Sequence, residues 1–501
     1  MILEVSGKQD YIFSSKKLQE NAKRSEEIAY ITGSAFFRET AGELYDETEN
    51  LIYAGGGHTV LQFSDEDKAK AFARAVSESV LRRFDGLEYF VKLLPYDESL
   101  TPAKNLHDLS GALERKKALR RGSFAVHSWG VEAIDLSTFR PKSAAEETHP
   151  AIRPQLPEPP SGWSYPGEFE ELTGKDNFIA VVHIDGNAMG ARVRNLYDKN
   201  AALGWDDFCA AARRFSEGIQ TDFEMAFHRL SETVIAQSEV WSKLELSQGQ
   251  LPIRPIILAG DDVCFVAAGS LGLECARVFL EELSNLKNPE DGLNYAACAG
   301  VALVHQKYPF HMAYDLAEEL CSSAKRLGVS LDPDGSVSAM DWHIEFGQLQ
   351  DGLREIRADY RTEDGGTLEL RPVTVAVPKE ADTTPLGGVR TWTFFKTLCQ
   401  SMKGEYGKVA RSKIKDLRGA FRQGEIESRF FLADKEVTDF LYHAFDAEHG
   451  DAALQEAAAQ MRQNRRLRKE AFREIGGMRR CLFFDAIEMI DHSIFFKEAR
   501  E

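Results

Sequence analysis

The chain has 501 residues, 43% hydrophobic and 28% charged, and its 61 Lys and Arg against 79 Asp and Glu leave a net charge of −18 at pH 7. That length predicts two to four soluble globular domains, and the acidic balance excludes a basic nucleic-acid coat, so any nucleic-acid contact has to use a local patch. Seven scattered cysteines without a CxxC pair exclude a disulfide framework or cysteine zinc site and fit reduced cytoplasm; with no leader and no run near about 18 apolar residues, a cytoplasmic chain without a membrane partner is expected.

In chain order, Ile2 to Val5 reads as a strand closed by Ser6-Gly7. A helical stretch follows, then a second helix over Ser34 to Tyr45. Leu51 to Phe63, LIYAGGGHTVLQF, predicts two strands around a triple glycine. Ser64 and Asp67 have capping-box spacing for a helix whose Phe72, Val76, Val80 and Phe84 share one face. Leu87 to Leu94 returns as a strand. The order βααββαβ over residues 1–95 predicts an antiparallel sheet with helices on one face, an α+β layering.

Residues 96–172 read as an insert. A charged segment, Leu113 to Arg121, precedes Arg140 to Gly167, which holds seven of the chain's 17 prolines and reads as an extended linker. The dipeptide His107-Asp108 has no further metal ligands near it and reads as chance.

Residues 173–347 repeat the first unit on a larger scale. Phe178 to Ile184 is a buried strand ending at Asp185-Gly186, and a long helix carries Phe208, Ala212, Phe215, Ile219 and Phe223 at helical spacing. Ile253 to Gly269, IRPIILAGDDVCFVAAG, reads as strand, tight turn, strand. A helix near Leu273 to Leu283, a strand Tyr295 to His305, a helix from His311 capped at Gly328 and a strand Ser338 to Phe346 complete it. Residues 348–501 are expected to be a helical domain.

The chemistry sits in the glycine-acid turn. Asp261 and Asp262 at a hairpin tip repel each other and add nothing to packing, but hard divalent cations take such oxygens and share them with phosphates. A lone GDD also suits a solvated turn; Asp185 changes the reading. A strand-end acid beside an acidic hairpin brings three carboxylates to one edge, the set that two-metal nucleotidyl transfer needs. Gly186 and Gly260 would let phosphates approach the backbone. Overlaying the halves sets Gly57 and His58 on Asp261 and Asp262, and Val5-Ser6-Gly7 on Ile184-Asp185-Gly186. This predicts a diverged duplication in which residues 1–95 lack metal acids.

VSGKQDYIFSSKKLQEN, LIYAGGGHTVL, VVHIDGNAMG, IILAGDDVCFV, GVALVHQKYPF and SAMDWHIEFG together resemble the large polymerase-like subunit of type III CRISPR effector complexes. The resemblance spans roughly 1–95 and 175–350. It implies two ferredoxin-like palm domains of the nucleotide-cyclase and GGDEF type before the helical domain, in a compact or stand-alone relative without the family's nuclease domain. It also implies an enzyme that turns ATP into cyclic oligoadenylate with two Mg²⁺ or Mn²⁺ ions. Asp185, Asp261 and Asp262 would be the metal-holding catalytic residues, and Gly55, Gly56, Gly57, Gly186, Asn187, Gly260 and Lys325 would contact nucleotide. The family's GGDD stands here as Ala259 to Asp262, and its DGD as Asp185-Gly186-Asn187, so Asn187→Asp is expected to keep or raise activity.

Several residues keep two readings. Lys325 holds triphosphate or is a solvated helix lysine. Gly55 to Gly57 seat an acceptor nucleotide or form a plain turn. His305 fits a structural strand end better than a catalytic base, and Cys264 fits the core. The basic runs Lys403 to Arg422 and Arg462 to Arg480 are helix faces balanced by acids, or contacts to RNA or an RNA-bearing effector subunit through Arg465, Arg466, Arg468 and Arg479. The alternatives to an oligoadenylate synthase are a non-catalytic nucleotide-binding scaffold and a GGDEF-like cyclic dinucleotide synthase using GTP.

Overall fold

The structure, a computed structural model, describes residues 1–84, 86–119, 156–174, 177–347, 352–379, 381–382, 386, 388–403, 411–434 and 471–497. Strands β1 (Ile2–Ser6), β2 (Leu51–Gly55), β3 (His58–Leu61) and β4 (Glu88–Lys92) form an antiparallel sheet in the order β2-β3-β1-β4. Helices α1 (Leu18–Ile31), α2 (Ser34–Ala41) and α3 (Glu66–Arg83) bring Phe36, Phe37, Phe72, Val76 and Val80 into one core with Leu3 and Val5. The α3 cap is Asp65, whose carboxylate accepts from Lys68 N at 2.7 Å, rather than Ser64.

Residues 102–118, expected within an insert, form helix α4 (Pro102–Ala118). Leu106, Leu109 and Leu113 pack on Ile2, Ile52 and Val60, the opposite face of the first sheet. The charges around Leu113 had masked an apolar stripe at helical spacing. Much of the proline-rich stretch lies outside the described residues.

The second unit contains β5 (Phe178–Gly186), α5 (Met189–Lys199), α6 (Trp205–Ala236), β6 (Ile253–Ala259), β7 (Asp262–Ala268), α7 (Gly272–Ser284), β8 (Ala297–His305), α8 (Phe310–Leu331) and β9 (Ser338–Glu345). Its sheet, which takes in β10 (Val373–Ala376), runs β10-β9-β8-β5-β7-β6, so β6-β7-β5-β8 reproduces β2-β3-β1-β4. The duplication is therefore visible in topology. Strand β9 adds parallel to β8, and β10 comes from beyond the expected boundary at 347 to pair with β9. Gly328 lies inside α8 and does not cap it; a Cβ there would meet Val337 O at 3.1 Å, so close approach accounts for the glycine.

After residue 347, helix α9 (Leu353–Ala358) precedes β10, and among the described residues helices α10 (Trp392–Met402), α11 (Arg411–Gln423), α12 (Glu425–Asp434) and α13 (Phe484–Met489) follow it. One part of the basic run departs from a helix. β11 (Phe472–Ile475) and β12 (Met478–Cys481) form a hairpin around Gly476 and Gly477, both at positive φ, the backbone that a tight two-residue hairpin turn demands. Fully buried Arg371 pairs with Asp485 at 3.5 Å and Glu488 at 3.2 Å, fastening α13 to the segment before β10. No helix among the described residues is long and apolar enough to cross a membrane.

Candidate active site

The register of β5 against β7 sets Asp185 directly opposite Asp262. Beyond that pair, Gly186 N donates to Asp261 O at 3.1 Å, so the hairpin tip folds onto the end of β5. Only glycine fits at 186: a Cβ there would lie 2.8 Å from the Asp261 Cβ. Gly260 turns the tip at a φ of +69°. Its N–H donates to Gln220 Oε1 at 2.7 Å, and Gln220 Nε2 donates to Leu258 O at 3.0 Å.

Gln220 belongs to α6, and the same helix fastens the first unit. Arg213 Nε donates to Ile52 O at 3.1 Å and Ser216 Oγ to Ala54 O at 3.3 Å. Helix α6 thus satisfies carbonyls of both edge strands, β2 and β6, which would otherwise face water unpaired. The consequence is geometric: the two hairpins face each other. They line a cleft of about 660 Å³ to which the first unit contributes Lys8 and Gly55 to His58, and the second Ala259, Asp261 and Asp262. Gly260 lines a smaller neighbouring cavity of about 290 Å³ with Tyr53, Gly55 and His58. Asp185, Gly186, Asn187 and Lys325 are not among the residues lining either one.

Charge explains what these side chains do. Burial, reinforced by the Asp185 and Asp261 carboxylates, pushes the Asp262 carboxyl up to about 7. Burial and then Asp185 raise Asp261 as well. Lys325 Nζ donates to Asp185 Oδ2 at 2.5 Å and to Gly186 O at 3.1 Å. Burial pulls its ammonium pKa down, but the Asp185 charge and hydrogen bond outweigh that, for a net rise. Burial holds His183 down near 4, so it is neutral. Lys8, which donates to Gly56 O, adds positive charge from the first unit that partly lowers both Asp261 and Asp262.

The fit to a divalent cation is partial. Among the described residues no group of three His, Cys, Asp or Glu side chains is arranged to hold one ion. Asp185 is turned to Lys325. Yet Asp262 Oδ1 is buried and lacks a hydrogen-bond partner, beside two further carboxylates, and such an acceptor is what a cation satisfies. As a metal ligand Asp262 would have to shed a proton, so Mn²⁺ affinity is expected to rise between pH 6 and pH 8, by up to about tenfold per unit below its pKa. Calorimetric titration at the two pH values checks this; equal affinities would contradict a raised Asp262.

The structure also corrects the overlay of the halves. Glu4, not Ser6, sits opposite His58 as Asp185 sits opposite Asp262. Val5 N donates to Gly57 O as Gly186 N does to Asp261 O, and left-handed Gly7 and Ala188 each precede the following helix. Even the lysine is repeated: Lys117 Nζ of α4 donates to Glu4 Oε1 at 2.7 Å. The first unit therefore keeps one acid, already paired.

Asn187 is otherwise engaged, its Nδ2 donating to Val337 O at 2.8 Å. An aspartate at 187 would set two acceptors against each other, costing roughly 1–3 kcal/mol, readable as a lower melting temperature. His305 caps the far end of β5–β8, opposite Phe178, and Cys264 is fully buried. Asp108 pairs with Lys104 at 2.6 Å on the exposed face of α4. Of the arginines proposed for RNA, Arg479 faces Asp364 at 3.3 Å and Glu425 at 3.7 Å, while Arg465, Arg466 and Arg468 lie outside the described residues. Sequence reasoning missed Lys8, His183 and Gln220. Gly7-Lys8 at a strand end was a signal for the first, whereas the other two look like ordinary core and helix residues.

The family model described as Cas10/Cmr2, second palm domain, matches residues 178–329. No curated protein matches the chain. Among solved structures, Csm1 in T. onnurineus is similar at 15% identity and a TM-score of 0.51, over 98% of this chain and 69% of that one. A Csm1–Csm4 cassette in complex with pppApApA gives 14% and 0.51 over 98% and 69%. The apo Csm1–Csm4 cassette, at 16% and 0.43, is matched over 65% of this chain and 52% of that one. This chain thus spans between about half and two thirds of the solved chains it matches, and identities so low speak to fold. The family match falls on the sheet that carries the facing acids, so residues 178–329 match a second palm domain of the Cas10/Cmr2 type, within a chain whose fold over both sheets is similar to that of Csm1.

Proposed function

We propose that this chain is a nucleotidyltransferase that joins ATP through 3′–5′ linkages into oligoadenylate, closes the product into a ring and releases pyrophosphate, within type III CRISPR or related antiviral signalling. One observation carries the reading: Asp262 faces Asp185 across paired strands, and with Asp261 it looks over a cleft of about 660 Å³ onto the Gly55–Gly57 hairpin. Csm1–Csm4 cassettes of the same fold are described in complex with AMPPNP, with pppApApA and with cA4, which supports adenylate chemistry.

In each step a ribose 3′-oxygen attacks an α-phosphorus, the bond to pyrophosphate breaks, and the hydroxyl proton leaves for solvent. Two Mg²⁺ or Mn²⁺ ions held by Asp185, Asp261 and Asp262 would supply activation of that hydroxyl and neutralisation of the leaving group. The chain's own part is placement. The glycine hairpin leaves room for the acceptor nucleotide, Lys8 stands where triphosphate charge would gather, and Lys325 moves from Asp185 to a phosphate. RNA or an RNA-bearing partner on the C-terminal region is the regulatory side of the reading, and contact through Arg479 would have to displace its two acidic neighbours.

The Lys325–Asp185 pair favours a second reading, a scaffold that binds ATP without turnover. Incubation with ATP, GTP or both and Mn²⁺, followed by mass spectrometry, separates the possibilities. Oligoadenylates with pyrophosphate are expected. ATP binding without pyrophosphate release would establish the scaffold, and a cyclic dinucleotide from GTP would establish the GGDEF-like alternative.

A further inference from the structure

Asp262 Oδ1 has no hydrogen-bond partner, and His183 Nδ1 stands 3.6 Å from it. His183 lies two residues before Asp185 on β5, with its ring almost entirely buried. The same Nδ1 is 3.3 Å from the Tyr314 hydroxyl on α8. Gln9 Nε2 donates to that hydroxyl at 3.1 Å. Gln9 belongs to the first palm, as does Phe13, whose ring centroid lies 4.2 Å from that of Tyr314 and 5.3 Å from that of Phe310. Tyr314, a residue of the second palm, is therefore held at both its hydroxyl and its ring by the first.

We propose that His183 is a positioning residue for Asp262, and that Gln9 and Phe13, acting through Tyr314, make cation capture at Asp262 depend on how the two palms dock. The inference rests on reading Asp262 as a metal ligand. Gln9 occupies one lone pair of the Tyr314 oxygen. A neutral imidazole with its proton on Nδ1 then has that N–H between the Tyr314 oxygen and Asp262 Oδ1, the tautomer that serves both acceptors. Tyr314 keeps the ring from rotating away. Closing the 3.6 Å gap to a hydrogen bond on one carboxylate oxygen would fix the plane of the group and aim its remaining lone pairs, as outer partners of metal ligands commonly do. If the palms separate, Gln9 and Phe13 leave Tyr314, the ring loses its stop, and Asp262 loses its aim. A histidine that merely filled the core would have no such reach.

The test is Mn²⁺ titration of the full chain, following the free-ion resonance signal, for the parent protein and for Asp262→Ala, His183→Leu, His183→Asn, Tyr314→Phe and Gln9→Leu. His183→Leu is expected to weaken Mn²⁺ binding by about tenfold to a hundredfold. His183→Asn should recover most of the affinity, because its Nδ2 takes the place of Nδ1. Tyr314→Phe and Gln9→Leu should weaken binding by a smaller factor, while their metal-free melting stays close to the parent's. Parent-like Mn²⁺ affinity in His183→Leu, or in Tyr314→Phe where the leucine variant does not fold, overturns the inference provided Asp262→Ala has lost binding. Undiminished binding by Asp262→Ala overturns the metal-site reading beneath it.

Discussion

The double substitution Asp261→Ala, Asp262→Ala is expected to lower oligoadenylate formation from ATP by at least about 10³-fold, the scale on which removing charge-stabilising groups acts. Both carboxylates line the cleft at the turn of one hairpin, and with them goes all but Asp185 of the acid set. Folding should survive. Asp262 Oδ1 makes no hydrogen bond, and burial followed by the Asp185 charge, joined at Asp262 by that of Asp261, raises the proton affinity of both acids. The sign of the pH effect follows. The folded chain holds the Asp262 proton more tightly than the unfolded chain, so stability falls as pH climbs from about 4 towards 7. Without the two acids that loss disappears, and at pH 8 the variant should melt no lower than the parent. Product release by mass spectrometry and melting at pH 5 and pH 8 check both halves. A folded double variant that still makes oligoadenylate would falsify the site.

Gly56→Trp should cut product yield by about a hundredfold, the penalty that a misplacement of about 1 Å can impose on a reacting pair. Gly56 sits at a φ of +58°, and a Cβ there would lie 3.8 Å from Ala259 O of the facing hairpin. A non-glycine residue pays roughly 1–2 kcal/mol for that backbone, and the indole has to enter the space between the palms. Mn²⁺ binding should persist, since the acids belong to the other hairpin. The discriminating readout is therefore a split: metal retained, oligomer lost. Unchanged yield from a folded variant would remove the first palm from the reaction.

Much was legible in the chain. The β-branched runs around Gly260 announced a hairpin, the apolar spacing of Phe208 to Phe223 announced a long helix, and Asp185 at a strand end announced a partner for Asp262. These are local signals, set by backbone preference and by which side chains avoid water over a few residues. What the chain did not disclose has another origin. Ser6 was aligned with Asp185 because both precede a glycine, whereas strand register equates Glu4 with Asp185. The bond from the Asn187 amide to a carbonyl spans 150 residues. The bond from Lys325 to Asp185 spans 140 residues. Gln220 and His183 looked like bulk, and they fasten the turn at Gly260 and stand against Asp262. Each of those roles is a contact between segments far apart in the chain. Only packing of α6, α8 and the two sheets decides which donor meets which acceptor, and residue type alone leaves many pairings open.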